Sequence, residues 1–410
     1  MSIGIIVFFV CGGFLWYAFF KPSAPAVVQD SSLSGAPSSG FPLSGNVPGT
    51  PSQGTGEKGP ASGSSASNPS SLSSVRTSFS SFVPRSPLVE LLSGPLGPMV
   101  LAEDGQSVIV WDPQDAHFWT ITQKGRSQLF SSQDFFSVQE VEFSPDRTKA
   151  VITFPDGAHI AYNFVTKTQV ALPSFWQDIH FSPDSSFLIF KSIPRNVEAR
   201  MLAASKPDGS DFEDITTLGR ANERVFSEPS PLGGIVALFT EHQAAERDQL
   251  YFVGRHEEQY RSVALPGIGF KPQWSSRGDK LLFQVASSDT AFKPNLWTMD
   301  ATPDSLGTRK LDLGVTTFVE KCSWNKNDTV VYCAVPKNLP EGVALAPGAL
   351  DQLPDYADDF WKIDPQTGIK KLLFSPDISI NATNIAVSAD EQYLFFQDRI
   401  TRTLYSLKVK

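Results

Sequence analysis

Side chains that commonly bind metals or act as nucleophiles are scarce in this 410-residue sequence. It has only 3 cysteines and 5 histidines, and the histidines are scattered: His117, His159, His180, His242 and His256. It contains no G-x-S-x-G, H-E-x-x-H or C-x-x-C motif, no P-loop and no D-x-D-x-D-G calcium loop. These absences argue against the enzyme and metal-binding classes that such motifs mark. We therefore expect no catalytic residue, no metal site and no cofactor.

Basic charge is also in short supply, and the net charge is −9. Residues 1–86 carry four basic and two acidic side chains, so the remaining residues account for a net charge of −11. A nucleic-acid-binding domain needs a basic surface, and so does a domain that docks on anionic lipid. We expect neither of these partners for the main domain.

The N-terminal residues 2–20 contain no charged side chain and are rich in Ile, Val and Phe. As a helix of 1.5 Å per residue they would cover about 28 Å, which is enough to cross a bilayer. We interpret residues 1–21 as a single transmembrane anchor. A cleaved signal peptide is the alternative, because Ala24 and Ala26 have the spacing of a cleavage site.

Residues 22–85 are dominated by Ser, Gly, Pro, Ala and Thr. Such a segment buries too little apolar surface to offset its ordering entropy, so we interpret it as a flexible linker. An anchor and a spacer before a folded domain place that domain at the cell membrane. We expect it on the extracytoplasmic side, in the cell envelope.

A β-hairpin pattern recurs along residues 86–410. An apolar run, a turn such as Ser182-Pro183-Asp184 and a second apolar run form each copy. The seven copies are anchored at Leu101, Phe143, Phe181, Pro229, Trp274, Trp324 and Val387. A third β-like run follows each hairpin, and a fourth follows most of them. Four antiparallel strands in roughly 40 to 50 residues match the blade of a β-propeller.

These repeats predict an all-β, seven-bladed β-propeller, with a six-bladed ring as the alternative. The last copy ends after its third strand, whereas residues 87–92 form an apolar run that belongs to no copy. We expect this run to pair beside residues 403–409 and close the ring, which removes open sheet edges.

The hairpins Phe143-Ser144-Pro145-Asp146 and Phe181-Ser182-Pro183-Asp184 resemble the WD-like repeats of TolB-type propellers. They are also similar to the propeller of prolyl-oligopeptidase-type peptidases. The resemblance implies a propeller fold for residues 87–410. We expect no peptidase domain, since the G-x-S-x-G motif is missing and the propeller occupies the rest of the chain. The turns after Pro229, Trp274 and Trp324 lack the Asp, which leaves the blade boundaries there less well defined.

Polar side chains recur immediately before the residues at which five successive hairpin copies are aligned. They are Glu142, His180, Glu228, Gln273 and Ser323. Because the first strand of a blade lines the central channel, these residues are expected to form a polar ring. We favour a hydrogen-bonded layer that joins the blades over a site for an ion or a file of water.

Long connections between second and third strands occur at 191–199, 240–248, 286–294 and 336–358. They leave one face of the ring, which we interpret as a binding face. Its candidate residues are Arg195, Glu198, His242, Arg247, Phe292, Lys293, Asp355 and Tyr356. We expect the longest connection to make few buried contacts.

The sequence thus favours a non-catalytic, protein-binding scaffold whose partner is another envelope or membrane protein or a peptide segment. A small-ligand or glycan sensor is the second hypothesis, and a propeller enzyme with a site at the channel mouth is the third. Cys322 and Cys333 lie on the two strands of one hairpin. A two-residue turn would place them directly opposite each other, whereas the wider register of the Ser-Pro-Asp turns would point them to opposite faces. They form either a cross-strand disulfide or a pair of packed thiols, and we favour the thiols.

Overall fold

The computed structural model describes residues 86–256, 258–345, 350 and 356–410. Within these residues no helix is long and apolar enough to cross a membrane. The proposed anchor at residues 1–21 and the proposed linker at residues 22–85 lie outside them.

The described chain forms 28 strands, which assemble into seven antiparallel sheets of four strands each. Blade 1 contains β2 (Met99–Leu101), β3 (Ser107–Asp112), β4 (His117–Thr122) and β5 (Ser127–Ser131). Blade 2 contains β6 (Glu140–Phe143), β7 (Lys149–Thr153), β8 (His159–Asn163) and β9 (Thr168–Leu172). Blade 3 contains β10 (Trp176–Phe181), β11 (Leu188–Ser192), β12 (Met201–Ser205) and β13 (Glu213–Thr217). We name the four strands of each blade A to D, in this order from the channel outwards.

The remaining blades follow the same order. Blade 4 contains β14 (Val225–Phe226), β15 (Ile235–Ala244), β16 (Arg247–Gly254) and β17 (Val263–Ala264). Blade 5 contains β18 (Ile268–Trp274), β19 (Lys280–Ala286), β20 (Asn295–Asp300) and β21 (Leu311–Thr316). Blade 6 contains β22 (Cys322–Trp324), β23 (Val331–Pro336), β24 (Asp358–Ile363) and β25 (Lys370–Phe374). Blade 7 contains β26 (Ala382–Val387), β27 (Tyr393–Asp398), β28 (Leu404–Lys408) and, as its outer strand, β1 (Leu88–Leu92).

The ring closes through β1, as the unpaired apolar run predicts. This strand is antiparallel to β28, with Leu88 opposite Leu407 and Val89 opposite Ser406. The first and last parts of the domain therefore share one sheet, and the prediction of seven blades is confirmed.

The A–B turns of all seven blades share one geometry. The fourth residue of each turn has a positive φ: Gly105, Arg147, Ser185, Gly233, Gly278, Asp328 and Glu391. Its N–H donates to the carbonyl oxygen three residues earlier, as from Gly278 to Ser275 and from Asp328 to Asn325. The turns that lack the expected Asp keep this geometry. Glycine in two of them and an aspartate in the third adopt the left-handed conformation, which these residue types tolerate well.

Apolar side chains pack between neighbouring blades rather than in one central core. Between blades 1 and 2, Phe118 meets Phe143 edge to face with ring centroids 5.7 Å apart. Trp324 is buried in the cluster that joins blades 5 and 6, and Trp274 packs between blades 4 and 5. Such repeated interfaces make the ring a rigid support for its connections.

Cys322 and Cys333 form a disulfide in the structure, and their Cα atoms are 4.1 Å apart. They pair directly across β22 and β23, next to the pair formed by Ser323 and Tyr332. The sequence favoured packed thiols and placed the two cysteines opposite each other only if the turn were short. The wider turn also places them opposite, because each step outwards from the turn adds one residue to both strands.

Because the strands alternate in direction, the B–C and D–A connections leave every sheet at the same end of its strands. We call this side the upper face. The A–B and C–D turns form the lower face. The long connections predicted from the sequence therefore share the upper face with the D–A connections that lead into the channel strands.

Candidate functional site

Blades 2 to 4 place three of the predicted ring residues beside the channel. His180 Nδ1 lies 3.3 Å from Glu142 Oε1 of the neighbouring blade. Burial alone would lower the pKa of His180, but the charge and hydrogen bond of Glu142 outweigh it and raise the pKa to about 9. His180 is therefore an imidazolium at neutral pH.

Glu228, on blade 4, shares a channel cavity of about 260 Å³ with His180 and Asp178. Burial raises the pKa of its carboxyl group, and Glu142, Glu320 and Asp178 raise it further while His180 opposes them. The pKa of Glu228 reaches about 7. The channel thus holds more carboxylates than its cations stabilise.

The other two ring residues differ from these three. Gln273 donates from Nε2 to the carbonyl oxygen of Cys322 at 3.0 Å and so joins blade 5 to blade 6. Ser323 is half-buried on β22 and pairs across the sheet with Tyr332. The predicted ring is thus divided: Gln273 joins two blades, whereas Glu142, His180 and Glu228 line cavities.

The B–C connections of blades 4 to 6 contact one another on the upper face. Glu246 Oε2 accepts hydrogen bonds from both the N–H and the hydroxyl of Ser288, each at 2.9 Å. The blade 5 connection also contacts the blade 6 connection, because the carbonyl oxygen of Ala291 accepts a hydrogen bond from the N–H of Gly342 at 2.9 Å. Phe292 accepts similarly from Ala344 at 3.1 Å. We call these three segments, residues 241–247, residues 287–294 and the described part of residues 337–357, the collar.

An apolar cluster attaches the collar to the ring. Leu339 and Val343 of the blade 6 connection pack against buried Phe318, and Tyr356 packs on the same cluster. The expectation that this connection makes few buried contacts is therefore wrong. Its Leu and Val side chains fill space above the D–A connection between blades 5 and 6.

A buried ion pair fixes the end of the collar. Lys321 Nζ lies 2.8 Å from Asp358 Oδ2, and both side chains are 0% exposed. Lys321 also donates to the side chain of Asn381 and to the carbonyl oxygen of Ala382, at 2.7 Å each. Asp358 Oδ2 accepts the N–H of Ala382 at 2.7 Å. These bonds connect the blade 6 insertion to blade 7.

The predicted binding-face residues occupy different environments. Arg195, Glu198, His242 and Arg247 are exposed, whereas Phe292, Lys293 and Tyr356 are half-buried, and Asp355 lies outside the described residues. The segment 240–248 is not a loop. It belongs to β15 and β16, which extend to Ala244 and from Arg247, so that only two residues form the turn. Its polar composition had concealed the strands.

The upper face also presents large apolar side chains that sequence reasoning missed. Phe136 is 70% exposed, Phe175 44%, Ile378 56% and Ile400 54%. The first three lie in D–A connections and Ile400 lies in the B–C connection of blade 7. An aromatic doublet was the available signal at two of these sites. Phe135 and Trp176 are buried between blades, which leaves their neighbours Phe136 and Phe175 in solvent.

All four exposed side chains lie on blades 7, 1, 2 and 3 or on connections into them, which we call the open sector. The B–C connections of blades 7, 1 and 2 are short and span residues 399–403, 113–116 and 154–158, whereas that of blade 3 spans residues 193–200 and is as long as the blade 5 connection. In the described part of the chain, no group of three or more His, Cys, Asp or Glu residues is arranged to hold a metal ion.

Neither a scan against protein-family models nor a search of curated proteins finds a match to this sequence. Solved structures are similar to it in fold. The Cps50 (Swd1) β-propeller domain of Myceliophteria thermophila has a TM-score of 0.51 at 10% identity, covering 79% of this chain and 100% of that one. An oligogalacturonate lyase in complex with manganese has a TM-score of 0.49 at 11% identity, with 79% and 91% covered.

A further similar structure is TolB from Acinetobacter baumannii, with a TM-score of 0.35 and 11% identity over 74% of this chain and 63% of that one. At these identities the similarity shows the fold alone. The resemblance to propellers that the Ser-Pro-Asp hairpins carry is confirmed at that level. The described residues from 86 onwards are occupied by the seven blades and contain no peptidase domain.

Proposed function

We propose that this chain is a membrane-tethered, extracytoplasmic β-propeller that binds a protein partner through its upper face and performs no catalysis. The observation that carries the proposal is the open sector. Four large apolar side chains project into solvent there from connections on a rigid ring. Apolar anchors surrounded by polar residues are typical of protein-binding hot spots.

Charged and polar residues that were predicted from the sequence are exposed on the same face. Arg195 and Glu198 are exposed on the B–C connection of blade 3, and His242 and Arg247 are exposed at the edge of the collar. Exposed charges at the rim of an interface affect its specificity and rate of association more than its affinity.

Two features support the tethered, extracytoplasmic location. The apolar N-terminal residues have the length of a membrane span, and a linker follows them. The disulfide between Cys322 and Cys333 is of a kind that persists in oxidising compartments and is rare in the cytosol.

The second candidate function is a small-ligand sensor, and the channel cavity beside Glu228 favours it. At about 260 Å³ this cavity is slightly smaller than the usual range for ligand pockets, about 300 to 1,000 Å³. Its lining is mainly polar, with Phe226 as its aromatic side chain. We rank this function below protein binding because the exposed apolar side chains lie outside the cavity.

Capture from solubilised membranes of the source organism tests the proposed function. The upper-face variant replaces Phe136, Phe175, Ile378 and Ile400 by Ser. The lower-face control replaces Val165, Leu232 and Ile369, which are 71%, 52% and 70% exposed, by Ser. We expect the full-length chain and the lower-face control to retain the same proteins, and the upper-face variant to lose them. Equal capture by all three would refute the proposal.

A further inference from the structure

Carboxyl groups outnumber cations on the channel wall that blades 2 to 6 form. Glu140, Glu142, Asp178, Glu228 and Glu320 line two adjoining channel cavities. Three cations pair with them: Lys191 with Asp178, Lys271 with Glu320, and His180 with Glu142. When all five carboxyl groups are ionised, the three cations leave two negative charges unmatched. Among the described residues, no ion pair includes Glu140 or Glu228.

Two exposed aromatic residues lie in the D–A connections that lead into the channel strands of blades 2 and 3. Phe136 precedes Glu140 by four residues and Phe175 precedes Asp178 by three. At about 3.3 Å per residue, the Cα atom of each aromatic residue lies within about 10 to 13 Å of the Cα atom of an acidic channel residue. Apolar anchors and unmatched negative charge are therefore adjacent on the same face.

We propose that the partner is a protein segment in which a lysine or arginine lies next to large apolar side chains. Its cation enters the channel towards Glu228 and Asp178, and its apolar side chains pack on Phe136 and Phe175. This inference rests on the proposed function, since it specifies the chemistry of the partner at the same upper face.

Other partner chemistries fit this surface less well. An acidic segment would be repelled by the unmatched carboxylates, and like charges across an interface cost several kcal/mol. A purely apolar segment would cover these carboxylates without supplying a counter-charge, which is also unfavourable. A basic side chain provides the missing charge, so charge complementarity selects it.

Proton binding at Glu228 supports the inference. Its pKa of about 7 means that about half of the Glu228 carboxyl groups hold a proton at pH 7. The charged groups around it are Glu142 on β6, Asp178 and His180 on β10, Lys271 on β18 and Glu320 in the following D–A connection. A partner cation would replace that proton. Affinity should therefore rise as the pH increases from 6 to 8, while His180, with a pKa of about 9, stays charged.

A random dodecapeptide display library, panned on the full-length chain in detergent micelles at pH 8, provides the test. The compared proteins are the unchanged chain, Glu228→Gln and the control Glu103→Gln, which alters an exposed carboxylate on the lower face. We expect the unchanged chain and the control to select peptides with Lys or Arg beside aromatic or aliphatic residues. Glu228→Gln should lose the preference for Lys and Arg.

The best selected peptide is then labelled, and its Kd is measured by fluorescence polarisation between pH 6 and pH 8. Glu228→Gln should weaken binding at pH 8 at least about tenfold, or about 1.4 kcal/mol, and remove the pH dependence. Gln resembles the protonated carboxyl group, so this variant should fold normally, with an unchanged circular dichroism spectrum.

Absence of a Lys or Arg preference, or its persistence in Glu228→Gln, would overturn the inference. This failure is distinguishable from failure of the proposed function. If the upper-face Ser variant loses its membrane partners while Glu228→Gln keeps them with unchanged pH dependence, the upper face binds proteins but the channel wall does not select a cation. If the upper-face Ser variant keeps its partners, the proposed function itself fails.

Discussion

The collar and the open sector differ in the exposure of their apolar side chains. In the collar, long connections bring Leu339 and Val343 down onto Phe318, and this apolar surface is buried within the domain. In the open sector Phe136 and Phe175 project into solvent from their D–A connections. The connections of both parts belong to the same ring and leave their sheets at the same end of the strands.

This difference changes the meaning of loop length. The long connections seemed the best candidates for binding, because insertions on a rigid scaffold often carry function. Here they bond to one another and to blade 7, so much of their surface is used inside the domain. The connections of the open sector leave Phe136 and Phe175 exposed, so this apolar surface is available to a partner.

The largest difference in the free energy of unfolding should come from charged contacts in the collar and in the open sector. Replacing Asp358 by Ala leaves Lys321 buried without a counter-charge and should lower the free energy of unfolding by about 3 to 5 kcal/mol. The matched change in the open sector is Asp134→Ala, which removes an exposed partner of His117. It should cost less than about 1 kcal/mol. Urea denaturation measures both, and similar losses would contradict the distinction.

Apolar side chains should show the next largest contrast. Leu339→Ala removes a buried contact with Phe318 and should cost about 2 to 4 kcal/mol. Phe136→Ala removes a side chain that is mostly in solvent and should change stability by no more than about 0.5 kcal/mol. A stable Leu339→Ala variant would mean that the collar is only loosely attached.

The disulfide should have a somewhat smaller effect. It closes a segment with a sequence separation of 11 in the hairpin from which the blade 6 insertion leaves. Replacing both Cys322 and Cys333 by Ser should lower the free energy of unfolding by about 2 to 3 kcal/mol. Mass analysis of the unreduced protein checks the bond itself. Two free thiols in that analysis would contradict this part of the structure.

The smallest effect should be a pH dependence of stability from the channel wall. The pKa of Glu228 rises from 4.5 to about 7, and that of His180 from 6.5 to about 9. In both cases the folded chain holds a proton that the unfolded chain releases, so each contribution is lost as the pH rises. Solvent screening should keep each below about 1 kcal/mol.

Single variants separate the two contributions. Glu228→Gln should remove the part lost between pH 4.5 and about 7, and His180→Gln the part lost between pH 6.5 and about 9. Thermal unfolding at a series of pH values measures both. A stability that rises with pH over these ranges in the unchanged chain would contradict the assigned directions.

The sequence predicted the ring well because each blade repeats a local pattern. Alternating apolar runs and Ser-Pro-Asp turns define a hairpin without reference to the rest of the chain, and the apolar run at Leu88 predicted the closing strand. The same local logic failed at 240–248, where Glu, His, Gln and Arg side chains lie on two solvent-exposed strands.

The candidate site was harder to predict, because exposure depends on neighbours that are distant in the sequence. Phe135 and Phe136 are the same type of residue, yet Phe135 fills a space between blades and Phe136 does not. Likewise Lys321 and Asp358 are separated by a long insertion, and no sequence pattern indicates that they pair. The excess of carboxyl groups at the channel was also not predictable from the sequence, because these groups come from several blades.

Site-specific photo-crosslinking tests the central claim, that the open sector binds a protein partner, most directly. A benzoylphenylalanine residue replaces Phe136 in the full-length chain in its own cells, and in separate variants it replaces Tyr356 of the collar or Ile369 of the lower face. The account predicts a discrete crosslinked protein from position 136 and none from position 369, with a weaker product or none from position 356. Crosslinks confined to position 356 or 369 would contradict it.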